Sequence, residues 1–181
     1  DNVPFWTGHP DAAQLKARTQ KRLALATAAL DRLLAAKGTR TIANTLSPFD
    51  EIARQLDMAG SQGGLMEEVS PDSATRATAE ELDQQISKFS TDLSLNRKVY
   101  EAISSMDLTG TDAETRYYVE KTLRDFRLSG VDKDEATRDK VKSLQEALVL
   151  VSQEFGRNIR EDKTTVSSAP ADLDGLPQDF I

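Results

Sequence analysis

The sequence predicts an all-α fold, an antiparallel bundle of five to six helices, several of them long. Three observations predict it. Apolar residues recur at three- and four-residue steps over long stretches, which places them on single helical faces. Ala, Leu, Glu, Asp, Lys, Arg and Gln dominate, while 9 Gly and 6 Pro leave few breakers and β-branched residues are scattered. Glycines and capping residues stand where the periodic runs stop and start. The 181 residues suffice for one domain with a real core.

Residues 1–10, DNVPFWTGHP, read as an extended lead-in, because Pro4, Gly8 and Pro10 oppose helix. Phe5 and Trp6 are expected to dock as an apolar anchor. His9 reads as a surface or capping residue at the helix start. A helical domain is expected over 11–164. Its first helix, from about Pro10 to Lys37, turns Leu15, Leu23, Ala26, Leu30 and Leu33 to the core, with Gly38 available as a left-handed cap. Lys16, Arg18, Lys21 and Arg22 on its first half read as a solvated face.

The second helix is expected from Thr41, with Ile42, Leu46, Phe49, Ala53 and Leu56 in helical register and a break or kink near Ser47 because of Pro48. It is expected to fade by Ala59–Gly60, with a flexible joint over 61–64 and a short turn at 65–69. Ser70-Pro71-Asp72 opens a third helix, capped at Ser70 and, if unbroken to Leu108, roughly 55 Å long. Asn96 interrupts its apolar stripe. Asp112 caps the next helix, which carries Val119, Leu123 and Phe126 and ends at Gly130.

A capping box at Asp132 and Glu135 then predicts a long final helix. Its apolar face runs through Val141, Leu144, Leu148, Val151, Phe155 and Ile159, in steps of three, four, three, four and four. With so short a link, this helix and the one before it are expected to form an antiparallel hairpin on which the rest packs, with Leu148 and Phe155 at the centre. Residues 165–181 lose periodicity and read as a surface segment or linker.

The composition limits the chemistry. A net charge of −7 argues against a nucleic-acid partner, because phosphate binding needs a clustered positive patch. No apolar run approaches the ~20 residues that span a bilayer, so no membrane partner is expected. Without Cys and with one His, a tight zinc site has almost nothing to draw on. No nucleophile elbow occurs, and GSQGG at 60–64 is too short for a phosphate loop. No catalytic, cofactor-binding or metal-ligating residue is assigned. Arg97–Glu101 and Glu120–Arg124 suit exposed helix pairs only. The chain starts at Asp1, which a removed signal peptide or a trimmed boundary would explain, and the missing Met with the absent Cys leans towards an exported, periplasmic parent, with a cytoplasmic one as the alternative.

Three stretches carry a family resemblance. They are S-P-D-x-x-x-R at Ser70 to Arg76, LSLNRKVYEAI at Leu93 to Ile103, and a closing L-x-G-L-P at Leu173 to Pro177. With TIANTLSPFDEIARQLD before them and FGRNI at 155–159, their order resembles the N-terminal region of the zinc oligopeptidase family of thimet oligopeptidase, neurolysin, oligopeptidase A and dipeptidyl carboxypeptidase. The resemblance implies a mostly helical body around a channel that admits short peptides, with N-terminal helices as a wall or lid. It also implies zinc on a HExxH helix in a catalytic domain of the same polypeptide. No HExxH occurs here, so none of the family's catalytic or metal residues transfers to this chain. The expected role is a non-catalytic N-terminal domain, with 165–181 leading towards the catalytic domain. The alternative is a free-standing helical adaptor or sensor that binds a protein partner.

Overall fold

The computed structural model describes residues 10–177 and contains six α-helices and, among the described residues, no strand. The expected lead-in, the Phe5–Trp6 anchor, His9 and the last four residues lie outside the described residues. Helix α1 spans Ala12–Ala35, α2 Ser47–Val69, α3 Ser73–Ser94, α4 Arg97–Ser104, α5 Ala113–Ser129 and α6 Glu135–Glu161. A single parallel bridge, Arg40 to Met106, ties the loop after α1 to the end of α4.

The first three helices form the centre. Asp11 caps α1, its carboxylate accepting from Gln14 N at 2.8 Å while Gln14 Oε1 accepts from Asp11 N at 3.0 Å. Leu15, Ala26, Ala29 and Leu33 are buried along α1, and Leu23, Leu30 and Leu34 pack at the margin. At one end, Leu15 meets Met66 of α2 and Ala79 and Leu82 of α3. Towards the other, Leu33, Phe49, Ile52, Val99, Ile103, Val119, Phe126 and Val131 form a larger cluster that joins α1–α5. The rings of Phe49 and Phe126 lie 5.8 Å apart, within the range of favourable aromatic pairs.

The break near Ser47 takes a specific form. Thr41 caps a π-helical turn, Ile42–Leu46, which runs straight into α2 with Pro48 in its first turn. A proline there loses no hydrogen bond the helix needs. The expected fading at Gly60 does not occur. Helix α2 continues through Gly60, Gly63 and Gly64 to Val69, because Ala59, Gly63 and Met66 are buried. Each glycine costs a helix about 1 kcal/mol against alanine, and burial on both sides of the run outweighs it.

Two further boundaries differ from expectation. Ser70 closes α2, and Asp72 is the residue that caps α3, accepting from Thr75 N at 2.9 Å. The third helix is not one 55 Å rod. It stops at Ser94, and Asn96 caps the short α4 by accepting from Val99 N at 3.2 Å. Asn96 breaks the apolar stripe because it is a helix start. Asp112 caps α5 as expected, and Gly130 ends it in the left-handed conformation at φ 95°.

The hairpin expectation fails. Helix α6 does not fold back along α5; it runs antiparallel to α3. Its N-cap is Asp134, which accepts from Thr137 N at 2.8 Å, whereas Asp132 lies in the turn beside Lys133. Leu148 and Phe155 are not central but 63% and 68% exposed. The cause is upstream. Val131 is fully buried in the main cluster, and the Arg97 guanidinium donates to the carbonyls of Val131 and Lys133. That clamp fixes the turn before α6 and thereby the direction in which α6 leaves it.

Candidate functional site

The unusual feature of this molecule is the orientation of α6. Residues 142, 146, 149, 153, 157 and 160 share one side of a 3.6-residue helix, and 141, 144, 148, 151, 155 and 159 share the other. The polar side faces α3. Gln153, the one buried residue of α6, donates through Nε2 to the Glu80 carbonyl at 3.0 Å and to Asp83 Oδ2 at 3.2 Å. Its Oε1 accepts from Gln84 Nε2 at 2.8 Å. Along the same seam Thr91 Oγ1 donates to Gln145, Lys88 pairs with Glu146 at 3.1 Å, and Lys142 pairs with Asp92. At the far end Arg160 and Arg157 pair with Glu80 at 2.8 and 3.5 Å. A cleft of about 290 Å³ between Gln84, Thr91, Gln145 and Val149 shows that the seam is joined by polar contacts and is not a close-packed apolar interface.

Acidic groups concentrate under this seam. Burial pushes Asp83 above the usual carboxylate range, although the Gln153 amide pulls the other way. Burial also raises Glu67, and the neighbouring Glu80 and Asp83 carboxylates add to it. Arg160 offsets part of that cost. Among the described residues, no group of three or more His, Cys, Asp or Glu is placed to hold a metal ion.

The outward side of α6 is the apolar one. Leu144, Leu148, Val151, Phe155 and Ile159 are all more than half exposed. Leaving a large aliphatic or aromatic side chain in water forgoes about 1.5–3 kcal/mol of burial each. Sequence reasoning found these residues by their spacing and assigned them to the core. The signal it could have used is the opposite side, where Gln145, Glu146, Gln153, Arg157 and Arg160 match polar partners on α3.

The basic residues of α1 separate. Arg18, Lys21 and Arg22 line a cleft of about 380 Å³ with Glu51, Arg54 and Gln55, and Lys16 is not part of it. That cleft is mixed in sign. Arg54 holds Glu51 bidentately at 2.8–3.1 Å, and Arg22 donates to Gln55 Oε1 at 3.1 Å. The Gln55 and Arg54 hydrogen bonds keep Glu51 below the usual carboxylate range. The two helix pairs read from spacing do not close among the described residues: Arg97 is taken by the turn carbonyls, and Arg124 pairs with Asp125.

The residues that carry the family resemblance turn out to be joints. In Ser70–Arg76, Ser70 ends α2, Asp72 caps α3, and Arg76 reaches back to the Ser70 carbonyl at 2.7 Å. In Leu93–Ile103, Asn96 caps α4 and Arg97 clamps the α5–α6 turn. These residues set helix directions and carry no evident chemistry of their own.

No family model matches the chain. It is 29% identical over 152 residues to a thimet-like oligopeptidase of Dictyostelium discoideum, covering 80% of this chain and 23% of that protein. It is 25% identical over 148 residues to saccharolysin of Saccharomyces cerevisiae, covering 78% of this chain and 21% of that protein. The chain thus spans about a fifth of the length of these curated relatives. At low identity, over about four-fifths of its own length, this chain is similar to part of each of these two longer proteins.

Proposed function

We propose that this chain is the non-catalytic N-terminal helical domain of a zinc-dependent oligopeptidase and forms part of the wall or lid of its peptide channel. The observation that carries this is the match over about four-fifths of the chain to two oligopeptidases several times its length. In this reading zinc and the water-activating glutamate belong to a catalytic domain of the same polypeptide, which is the chain's partner. Short peptides are the substrates of the whole. The helical domain contributes shape: capped helices with fixed joints make a stiff wall, and a stiff wall excludes folded proteins by size. A free-standing adaptor is the second reading, and the observation favouring it is the uncovered apolar side of α6.

The test assays two polypeptides on a mixed library of short peptides, with and without a chelator. One is residues 1–181 and the other is extended along the reading frame. Chelator-sensitive cleavage by the longer polypeptide alone is the expected result. Turnover by 1–181 itself would overturn the domain assignment. A reading frame without HExxH, or a longer polypeptide that cleaves nothing, would favour the adaptor.

A further inference from the structure

We infer that the outward face of α6 is the docking surface for another helix of the same polypeptide, one lying outside residues 1–181. The inference rests on the proposed function for the existence of that helix, and on the geometry of α6 for its place.

Four observations carry it. The first is that the orientation of α6 is fixed. Gln153, Gln145, Lys142, Glu146 and Arg160 each have a partner on α3, so the helix cannot roll its apolar side inward without breaking the whole seam. The second is the spacing. Val141, Leu144, Leu148, Val151 and Phe155 advance by three, four, three and four, which is the seam of a helix that packs along another helix at a shallow angle. The third is charge. Lys140 flanks the stripe near its start and Glu154 near its end, and neither side chain has an ion pair or hydrogen bond among the described residues. A partner helix with an acid beside Lys140 and a base beside Glu154 completes them.

The fourth is size, and it decides between occupants. From Val141 to Ile159 the stripe is about 27 Å long and roughly 10 Å wide, so it can bury on the order of 300 Å². A standard interface between separate proteins buries about 800 Å² on each side. A second copy of the chain would therefore be held weakly. A segment of the same polypeptide meets the face at an effective concentration in the ~mM range, where so small a strip is enough. The relatives are four to five times longer than the matched region, so proteins of their size have ample chain to supply such a segment.

The experiment places the photo-crosslinking amino acid p-benzoylphenylalanine at Phe155, in residues 1–181 and in the longer polypeptide. In the longer polypeptide, irradiation is expected to join position 155 to a peptide beyond residue 181 within one molecule. Residues 1–181 alone are expected to stay at 19.9 kDa without a crosslink. A second variant, Leu148→Glu, is expected to lower the melting temperature of the longer polypeptide by on the order of 5 °C and that of 1–181 by less than about 1 °C. Crosslinks at twice the chain mass would overturn the inference in favour of a second copy. An uncrosslinked position 155 in a longer polypeptide that cleaves peptides would overturn it while leaving the proposed function intact. A crosslink in cis in a polypeptide without peptidase activity would uphold the docking surface and sink the function. A reading frame that stops at Ile181 would overturn both.

Discussion

Gln153 of α6 donates one side-chain amide to both the backbone carbonyl of Glu80 and the carboxylate of Asp83 on α3, at 3.0 and 3.2 Å. No other residue of α6 is buried. This side chain is therefore the point at which the last helix is pinned to the body of the molecule. Gln153→Leu should loosen α6, because it leaves Asp83 and Gln84 without their partner at a cost of about 1–3 kcal/mol. Hydrogen exchange should rise across 142–160 and stay unchanged around Leu82 and Ile103. Uniform destabilisation of the whole chain would show that α6 and the central helices unfold as one unit.

Leu148→Ala and Phe155→Ala should each cost under about 0.5 kcal/mol in residues 1–181, since both side chains already stand in water. Leu82→Ala and Ile103→Ala, by contrast, should each cost about 2–5 kcal/mol, because both are 1% exposed and truncation leaves a cavity. Urea titrations of the four variants compare them directly. Equal losses in the two pairs would mean that α6 buries its apolar side in solution.

Asp134→Ala should lower the melting temperature by about 2–4 °C, because α6 loses the acceptor for Thr137 N. Asp134→Asn should lower it less, since an acceptor oxygen survives. Asp132→Ala should change it little, because that residue caps nothing. A larger effect at Asp132 than at Asp134 would move the start of the helix.

The pH dependence separates two kinds of carboxylate. Hydrogen bonds from Thr137 hold Asp134 below the usual range, so its contribution is present above the unfolded value and fades as pH falls below about 4. Asp83 has the opposite sign. Burial raises it, so the folded state binds its proton more tightly than the unfolded state does. Stability from this group is greatest below its unfolded value and declines as pH rises through its folded one. Asp83→Asn should therefore stabilise the protein at pH 7, with the Asn oxygen still accepting from Gln153. The gain should vanish below about pH 4. Unfolding titrations at the two pH values check both the direction and the crossover.

Much of the architecture was legible in residue order. The cap at Asp112, the left-handed Gly130 and the change of helical register at Ser47 follow from local chemistry that involves neighbours only a few residues apart. So does the helical character of residues 135–161. Helix α1 lies where the periodicity puts it, although it runs Ala12–Ala35 between Asp11 and Ala36 and not from Pro10 to a cap at Gly38. The three-glycine stretch of α2 was misread because local propensity was allowed to outweigh burial that comes from α1 and α3. Asn96 has the same appearance in sequence whether it caps, bends or pairs, and only the structure shows that it caps α4.

The sequence by itself determined that this chain is helical, roughly which stretches form most of its helices, and which side of each helix is apolar, because these depend on backbone bonds and periodicity within one segment. Only the tertiary structure decided which neighbour α6 takes and which of its two sides meets that neighbour. An apolar stripe records that a helix has something to bury, not where or against what. In α6 the choice was made by contacts about 34 to 80 residues apart in sequence, from Arg97 clamping the turn at Val131 to Glu80 pairing with Arg160. Those polar pairings turned the apolar side outward.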